Sequence, residues 1–328
     1  MNSQIQDFFD LISNYQRFLI SCHVHPDGDA IGSLLALGLY LKASGKQVEM
    51  VCSDGVPTVY RFLEGSSLIK TTFNPGSQPE ILICVDCAEK DRAALPAEVW
   101  QIPGLIVVNL DHHITNTGFG QLNIVDSQAA ASGELIFRLL QQGGAINPQI
   151  AVALYTAIAT DTGFFRYEST SAYTLETVSG LVKDYQVNPA KIAEKVHEQK
   201  SYNSLRLLGE LLCGLQVGLD GKVAWIMLDQ ALLNRYPVEN EETESYVNYA
   251  RSIDGVEIGI LFKELKPNEF KISWRSTEAV DVSKLAAHFG GGGHARAAGC
   301  NINGTAEMVV RTVLDFVASY YQKCSTDC

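Results

Sequence analysis

Four short stretches in the first half of this chain carry side chains able to bind cations. The first, HVHPDGDAIGS at 23–33, offers His23, Asp27 and Asp29. A proline and a glycine turn the backbone between them, so imidazole and carboxylates can point one way instead of alternating as they would on a strand. Asp86 ends the apolar run ILICVD, Asp111, His112 and His113 close LIVVNLDHH, and Asp161 follows an apolar helical segment in ATDTG. Taken singly, each has an ordinary use. Aspartate caps helices and forms turns, as Asp54-Gly55 is read here, and histidine is commonly a hydrogen-bonded surface or core residue. Four such sites in order, each at the end of a buried element and two of them rich in histidine, point instead to one shared centre. Asp27, Asp29, Asp86, Asp161, His23 and His112 exceed what one tetrahedral zinc takes and suit two octahedral dications joined by a shared carboxylate. Two dications also balance four carboxylates. Mixed oxygen and imidazole ligation fits Mn2+ best, with Mg2+, Co2+ or Fe2+ as alternatives. Two such ions, about 3.5–4 Å apart, can acidify a water and clamp attacking and leaving oxygens at phosphorus. Attack then needs no protein nucleophile, and Ser33, near a helix start, reads as packing or capping.

Ligands this far apart in sequence need a scaffold that gathers them. Runs at 18–22, 47–53, 81–86 and 105–111 are strand-like and alternate with helical segments, which is the pattern of a parallel sheet wrapped by helices. ILICV is apolar throughout, as a strand buried on both faces must be, while 30–44 has helical spacing and Gly45 as its stop. In such an open sheet the carboxyl ends of the strands converge on one crevice. Helical patterns fill 128 to about 212, two of them opening on Asn-Pro, and the stretch 188–212 reads as a helix able to bridge two domains. Further strands begin near 215 and continue at 223–228, 256–265 and 269–276, interleaved with helices. The expected fold is therefore α/β. A doubly wound, mainly parallel domain at 1–192 precedes a smaller α/β domain at 193–328 that starts with the linker helix.

Composition narrows the function. With 328 residues and 46% hydrophobic content, the chain can build two cores. A formal charge of -12 argues against a broad grip on long double-stranded nucleic acid. An anionic substrate then needs local help from cations or from clustered Arg and Lys. Between 260 and 300 there are six Lys or Arg against four Asp or Glu, a local reversal. There Gly291, Gly292 and Gly293 let the backbone approach a phosphate, His294 and Arg296 follow as donors, and Arg275 can add a planar bidentate grip. Arg166, close behind Asp161, is a second phosphate-contact candidate. Phe165 and Trp274 could stack on a base, although strand alternation equally makes Trp274 core.

Eight cysteines in so long a chain do not make a disulfide framework. Cys22, Cys52, Cys84, Cys213 and Cys300 read as reduced core residues, the lone pair Cys84 and Cys87 lacks a second pair for zinc, and Cys324 and Cys328 are incidental on a polar tail. No apolar run suits a membrane span and the opening residues lack a signal peptide, so the expected location is the cytosol.

The stretches HVHPDGDAIGS, VDCAEKDR, DHHITN and ATDTGFF resemble the four ordered motifs of the DHH phosphoesterase superfamily, and SWRST with HFGGGGHARAAG resembles its DHHA1 domain. The likeness spans nearly the whole chain, and the combination is similar to the NrnA-type nanoRNase and pAp-phosphatase subfamily. The resemblance implies one ion on His23, Asp27 and Asp86, and another on Asp29, Asp86, His112 and Asp161, with Asp86 shared. It makes His113 a phosphate contact or proton donor and Asp111 the residue that orients a neighbouring histidine, while His25, between matched positions, reads as structural or as an outer support to the ligands. It sets the glycine loop and Arg275 across an interdomain cleft from the metals. Implied substrates are short oligoribonucleotides, pAp or linear dinucleotides such as pApA, and a homodimer is compatible with the reading. The alternatives are a RecJ-like single-strand DNA exonuclease, an inorganic pyrophosphatase and a non-catalytic nucleotide or RNA binder.

Overall fold

The computed structural model describes residues 2–143 and 146–326, and the side chains of 2, 240, 241, 294 and 323–326 are outside that description, as is Cys328. The chain divides at Gln199/Lys200 into two compact units, each with its own core.

In the first unit, β1 (Arg17–Ser21), β2 (Gln47–Val51), β3 (Ile69–Lys70), β4 (Ile81–Val85), β5 (Ile106–Asp111) and β6 (Leu122–Val125) form one sheet in the order β3-β2-β1-β4-β5-β6. Every pairing is parallel. Successive strand residues face opposite sides, and both sides are covered. Phe18, Ile20, Ile81, Ile83, Val108 and Leu110 meet the helices, while Leu19, Leu82, Cys84 and Val107 pack on Cys87, Ala93, Leu95 and Val99 from the loops between β4 and β5. This double burial is the reason β4 is apolar throughout.

The helical layer consists of α1 (Asn2–Asn14), α2 (Gly28–Ala43), α3 (Ser132–Gly143), α4 (Pro148–Asp161), α5 (Ala172–Tyr185) and the short α6 (Pro189–Ala193). Helix α2 is buried almost all round, as its uniformly apolar sequence demands. Asn147 caps α4 by accepting from the Ile150 amide, and Pro148 occupies the first turn, where a missing N–H costs nothing. Small residues let α2, α3 and α4 close on one another. A Cβ on Gly32 would stand 2.5 Å from the Ala153 carbonyl oxygen, and one on Gly133 would stand 2.5 Å from the Ala157 Cβ.

The second unit contains α7 (Tyr202–Cys213), β7 (Gln216–Gly218), β8 (Val223–Leu228), α8 (Gln230–Arg235), α9 (Asn240–Glu244), α10 (Val247–Arg251), β9 (Ile258–Lys266), β10 (Glu269–Ser276), α11 (Val282–His288), β11 (Gly292–His294), β12 (Ala297–Asn303) and α12 (Ala306–Thr326). Its sheet runs β11-β12-β10-β9-β8-β7, antiparallel except where β8 meets β9. Helix α12 lays Val309, Val313 and Val317 along one stripe onto Phe262, Phe270 and Trp274.

Several local expectations need correction. The stretch 188–212 is not one helix: α6 runs into a π-helical turn at Glu194–Glu198, the backbone extends at Gln199, and Ser201 starts α7 by accepting from the Ser204 amide. Val196, in the π-helical turn, packs into the first core. Helix α3 starts at Ser132 and not at 128. Cys213 is exposed at the end of α7, on the side away from buried Leu207 and Leu211. Trp274 is fully buried and so is core, not a stacking platform. The glycine run, read as a loop, enters strand β11 and a tight hairpin with β12.

Replacing Gly32 with alanine should cost about 1–3 kcal/mol of stability, the usual penalty for forcing a methyl into a closed contact. Urea unfolding of the variant measures this, and an unchanged midpoint would mean the α2–α4 junction has slack.

Candidate metal centre

The strand order reverses between β1 and β4, since the chain proceeds from β1 to β2 on one side and from β4 to β5 on the other. A crevice opens at the carboxyl ends of strands on either side of such a switch. His23 follows β1, Asp86 follows β4, and β5 delivers Asp111, His112 and His113. Asp27 caps α2 by accepting from the Ala30 amide, Asp29 lies in the first turn of that helix, and Asp161 is the last residue of α4.

These side chains converge. His23 Nε2 is 3.3 Å from Asp86 Oδ2 and 3.8 Å from Asp27 Oδ1. His112 Nε2 is 3.4 Å from Asp161 Oδ2, 3.7 Å from Asp86 Oδ1 and 3.8 Å from Asp29 Oδ2. Asp86 therefore turns one oxygen to each histidine. The sets His23/Asp27/Asp86, Asp29/His112/Asp161 and Asp86/His112/His113 each place their ligand atoms within 4.8 Å of one another. Oxygen and imidazole donors, each aimed at a common point, fit divalent cations.

Hydrogen bonds from outside the cluster set these orientations. His23 Nδ1 meets the Val24 carbonyl at 2.7 Å, and His112 Nδ1 meets the Ala129 carbonyl at 3.2 Å. A carbonyl only accepts, so both Nδ1 atoms carry a proton and Nε2 is the atom left to face the carboxylates, donating to them while protonated and open to a cation once that proton leaves. Asp29 accepts from the Ser132 amide at 2.6 Å, the Gly133 amide at 2.9 Å and the Ser33 hydroxyl at 3.0 Å. Asp86 accepts from the Ser132 hydroxyl at 2.9 Å and holds a left-handed backbone, φ 55°, which costs about 1–3 kcal/mol. Ser132, Gly133 and Ala129 were not singled out in the sequence, since a serine before a helix reads only as a cap. Tyr60 was missed too. Burial and the Asp27 charge raise the pKa of its hydroxyl, keeping it protonated.

Packing four carboxylates together carries an electrostatic cost. Burial and then the Asp86 charge push Asp29 up to about 7, and burial with the Asp29 charge raises Asp161 well above the carboxylate range. Burial opposes charge on the imidazoles as well. For His23 the bonds to Asp27 and Asp86 outweigh it and lift the pKa to about 11, and for His112 the Asp29, Asp86 and Asp161 charges lift it to about 9. Without cations the cluster thus keeps protons that cations would replace.

The remaining candidates occupy distinct places. His113 Nδ1 is 2.7 Å from Asp111 Oδ1, and Asp111 is fully buried and also accepts from the Asn116 amide group. His25 is outside the cluster, its exposed ring beside Asp54. Arg166 donates to the Gly163 carbonyl at 2.6 Å in the turn after Asp161. Phe165 packs edge-on against Tyr155. In the second unit, Arg275 pairs in register with Ala297 and donates to the Trp274 carbonyl, while Arg296 donates to the Val280 carbonyl. Arg275 thus sits on the strand beside the hairpin that carries Gly291, Gly292 and Gly293, and Arg296 in its turn; the His294 side chain is outside the described residues. Among the described residues, no helix is long and apolar enough to cross a membrane.

Comparison with known proteins adds to this geometry. Residues 17–158 match the DHH family, N-terminal domain, and residues 217–323 match the DHHA1 domain. A Thermus thermophilus protein named bifunctional oligoribonuclease and PAP phosphatase NrnA is 32% identical over 87% of this chain and 84% of its own length. A Streptococcus mutans protein named as a probable member of the same kind is 27% identical over 90% of this chain and 93% of its own. Among solved structures, an exopolyphosphatase-related protein from Bacteroides fragilis superposes with a TM-score of 0.92 at 28% identity, covering 99% of this chain and 98% of that one. With these motifs, this fold and relatives matched nearly end to end, the chain belongs to the DHH–DHHA1 phosphoesterases, a family of metal-dependent hydrolases.

Proposed function

We propose that the protein hydrolyses short oligoribonucleotides, pAp or linear dinucleotides such as pApA to mononucleotides, using two divalent ions, with Mn2+ the best match to the donors. The observation that carries the reading is Asp86, whose two oxygens face different histidines. One ion is assigned to His23, Asp27 and Asp86, the other to Asp29, Asp86, His112 and Asp161. Ions held there supply Lewis acidity toward phosphoryl oxygens and acidify an attacking water. Asp111 fixes the His113 ring through Nδ1, so Nε2 is the nitrogen that can contact the phosphate or pass a proton to the leaving oxygen. Burial tends to keep His113 neutral, but Asp111 and the charge of Asp86 raise its pKa, which suits a proton donor.

Phosphate recognition is assigned to Gly291, Gly292, Gly293, His294, Arg275 and Arg296, with Arg166 as a further contact. The glycines support this unequally. Gly291 is required by its contact with Gly299 and Cys300, and Gly293 by φ 141° and the nearby Ala297 carbonyl. Gly292 has open space around the missing Cβ and no such φ. Close approach of a ligand to the backbone explains a glycine there where the fold does not. The shared names of the relatives favour RNA fragments and pAp over DNA.

Turnover of pAp, pApA, a 5-mer RNA, a 5-mer DNA, pyrophosphate and polyphosphate, measured in parallel with Mn2+, should rank the RNA and pAp substrates first. Preference for pyrophosphate or polyphosphate would overturn the assignment. Asp86→Ala should lower turnover beyond the roughly 100-fold that losing an outer partner of a ligand can cost, with the fold retained.

Ion binding should also release protons. His23 and His112 have raised pKa values, so they hold protons below about 11 and about 9, and each proton competes with a cation. Apparent Mn2+ affinity should therefore rise with pH from 6 to 9, with at least two protons released near neutrality, since Asp29 and Asp161 add to those of the imidazoles. Calorimetry in buffers of different ionisation enthalpy counts them, and zero release would sink the imidazole assignment.

A further inference from the structure

Residues 126–133, between β6 and the first turn of α3, include none of the side chains assigned to the ions, yet they touch three of them. The Ala129 carbonyl meets His112 Nδ1, the Ser132 and Gly133 amides donate to Asp29, and the Ser132 hydroxyl donates to Asp86. The segment is an irregular saddle with two short internal bonds, from the Ala129 amide to the Asp126 carbonyl and from the Gln128 amide to Asp126 Oδ1. Something must hold it in place.

Arg138, one turn further along α3, grips it at both ends. Its Nη1 donates to Asp126 Oδ2 at 2.5 Å and its Nη2 to Glu134 Oε1 at 2.6 Å. Glu134 is fully buried, and its other oxygen accepts from the Thr174 hydroxyl at 2.6 Å. Thr174 belongs to the capping box that starts α5, and the Tyr173 ring covers the guanidinium at 4.6 Å. The backbone is tied at its near end as well, since the Asp126 amide donates to the Asp111 carbonyl.

We infer that Arg138 is a positioning residue for the metal centre, bridging Asp126 and Glu134 so that residues 126–133 present one carbonyl, two amides and one hydroxyl to His112, Asp29 and Asp86. The inference rests on the two-ion reading above. It differs from a purely structural role of tying α3 to α5, because it requires ion affinity to change in a protein that still folds. The Arg138 guanidinium bonds Asp126 and Glu134, neither of them assigned to an ion or to substrate.

The test is Mn2+ binding to the full chain by titration calorimetry, alongside urea unfolding, for the wild type, Arg138→Gln, Arg138→Lys and Ser132→Ala. The wild type should bind two ions. R138Q should fold and bind Mn2+ about 10- to 100-fold more weakly, the range seen when outer partners of metal ligands are lost. R138K should recover part of the loss, since an ammonium can serve both carboxylates with its three donors. S132A removes a single bond to Asp86 and should weaken binding in the same direction. A folded R138Q with wild-type affinity overturns the inference and leaves the two-ion reading intact. If R138Q does not fold, S132A decides, and wild-type affinity there overturns it. A wild type that binds no Mn2+ overturns the two-ion reading itself.

Discussion

Mutual repulsion among Asp27, Asp29, Asp86 and Asp161 is the constraint around which the first unit is organised. Carboxylates crowded in a crevice of low polarity either take up protons or are neutralised by cations, and the raised pKa values of Asp29 and Asp161 express the first outcome. Divalent cations would give the second. The fold makes that arrangement affordable by distributing the acids over separate elements: the start of α2, the end of β4 and the end of α4. No single local structure then carries more than part of the strain. Asp86 is the most loaded member, with a left-handed backbone and oxygens turned in two directions.

Neutral hydrogen-bond partners complete the design. Val24 and Ala129 set the two imidazoles through backbone carbonyls, and the start of α3 offers amides to Asp29 where the helix has N–H groups to spare. These groups add no charge, so they orient the ligands without competing with a cation for them. Small residues serve the same end. Gly32, Gly133 and Ala157 let three helices approach closely directly beneath the cluster, so the positions of Asp29, Ser132 and Asp161 are coupled through the packing.

The second unit follows another logic. Its sheet is mostly antiparallel, its core is built on Trp274, Phe262 and Phe270, and a glycine-rich hairpin forms one edge of the sheet. Three glycines there answer to backbone geometry or close contacts. Gly292 does not: a Cβ there would meet open space.

Much of this was legible in the residues. Apolar strands closed by Asp86 and Asp111, a Pro-Gly turn between His23 and Asp29, and Asn-Pro helix starts are local signals, because burial on both faces, turn formation and capping depend on near neighbours. The six converging side chains followed from those signals and the rule that strand ends meet. The residues that hold them were not legible. Ser132, Gly133 and Ala129 act across up to 104 residues in sequence, as the Gly133–Asp29 bond does, Asp126 and Arg138 brace them, and none of these types carries a mark of that use. Helix spacing placed the start of α3 too early for the same reason: 128–131 is compatible with helix, and tertiary bonds from it and its neighbours to His112, Asp111 and Asp29 hold it open. Sequence thus determined which groups could do the chemistry and on which elements they sit, since those depend on local propensity. Their mutual orientation was decided by the packed fold, because a hydrogen bond between distant segments exists only once both have been brought to the same place.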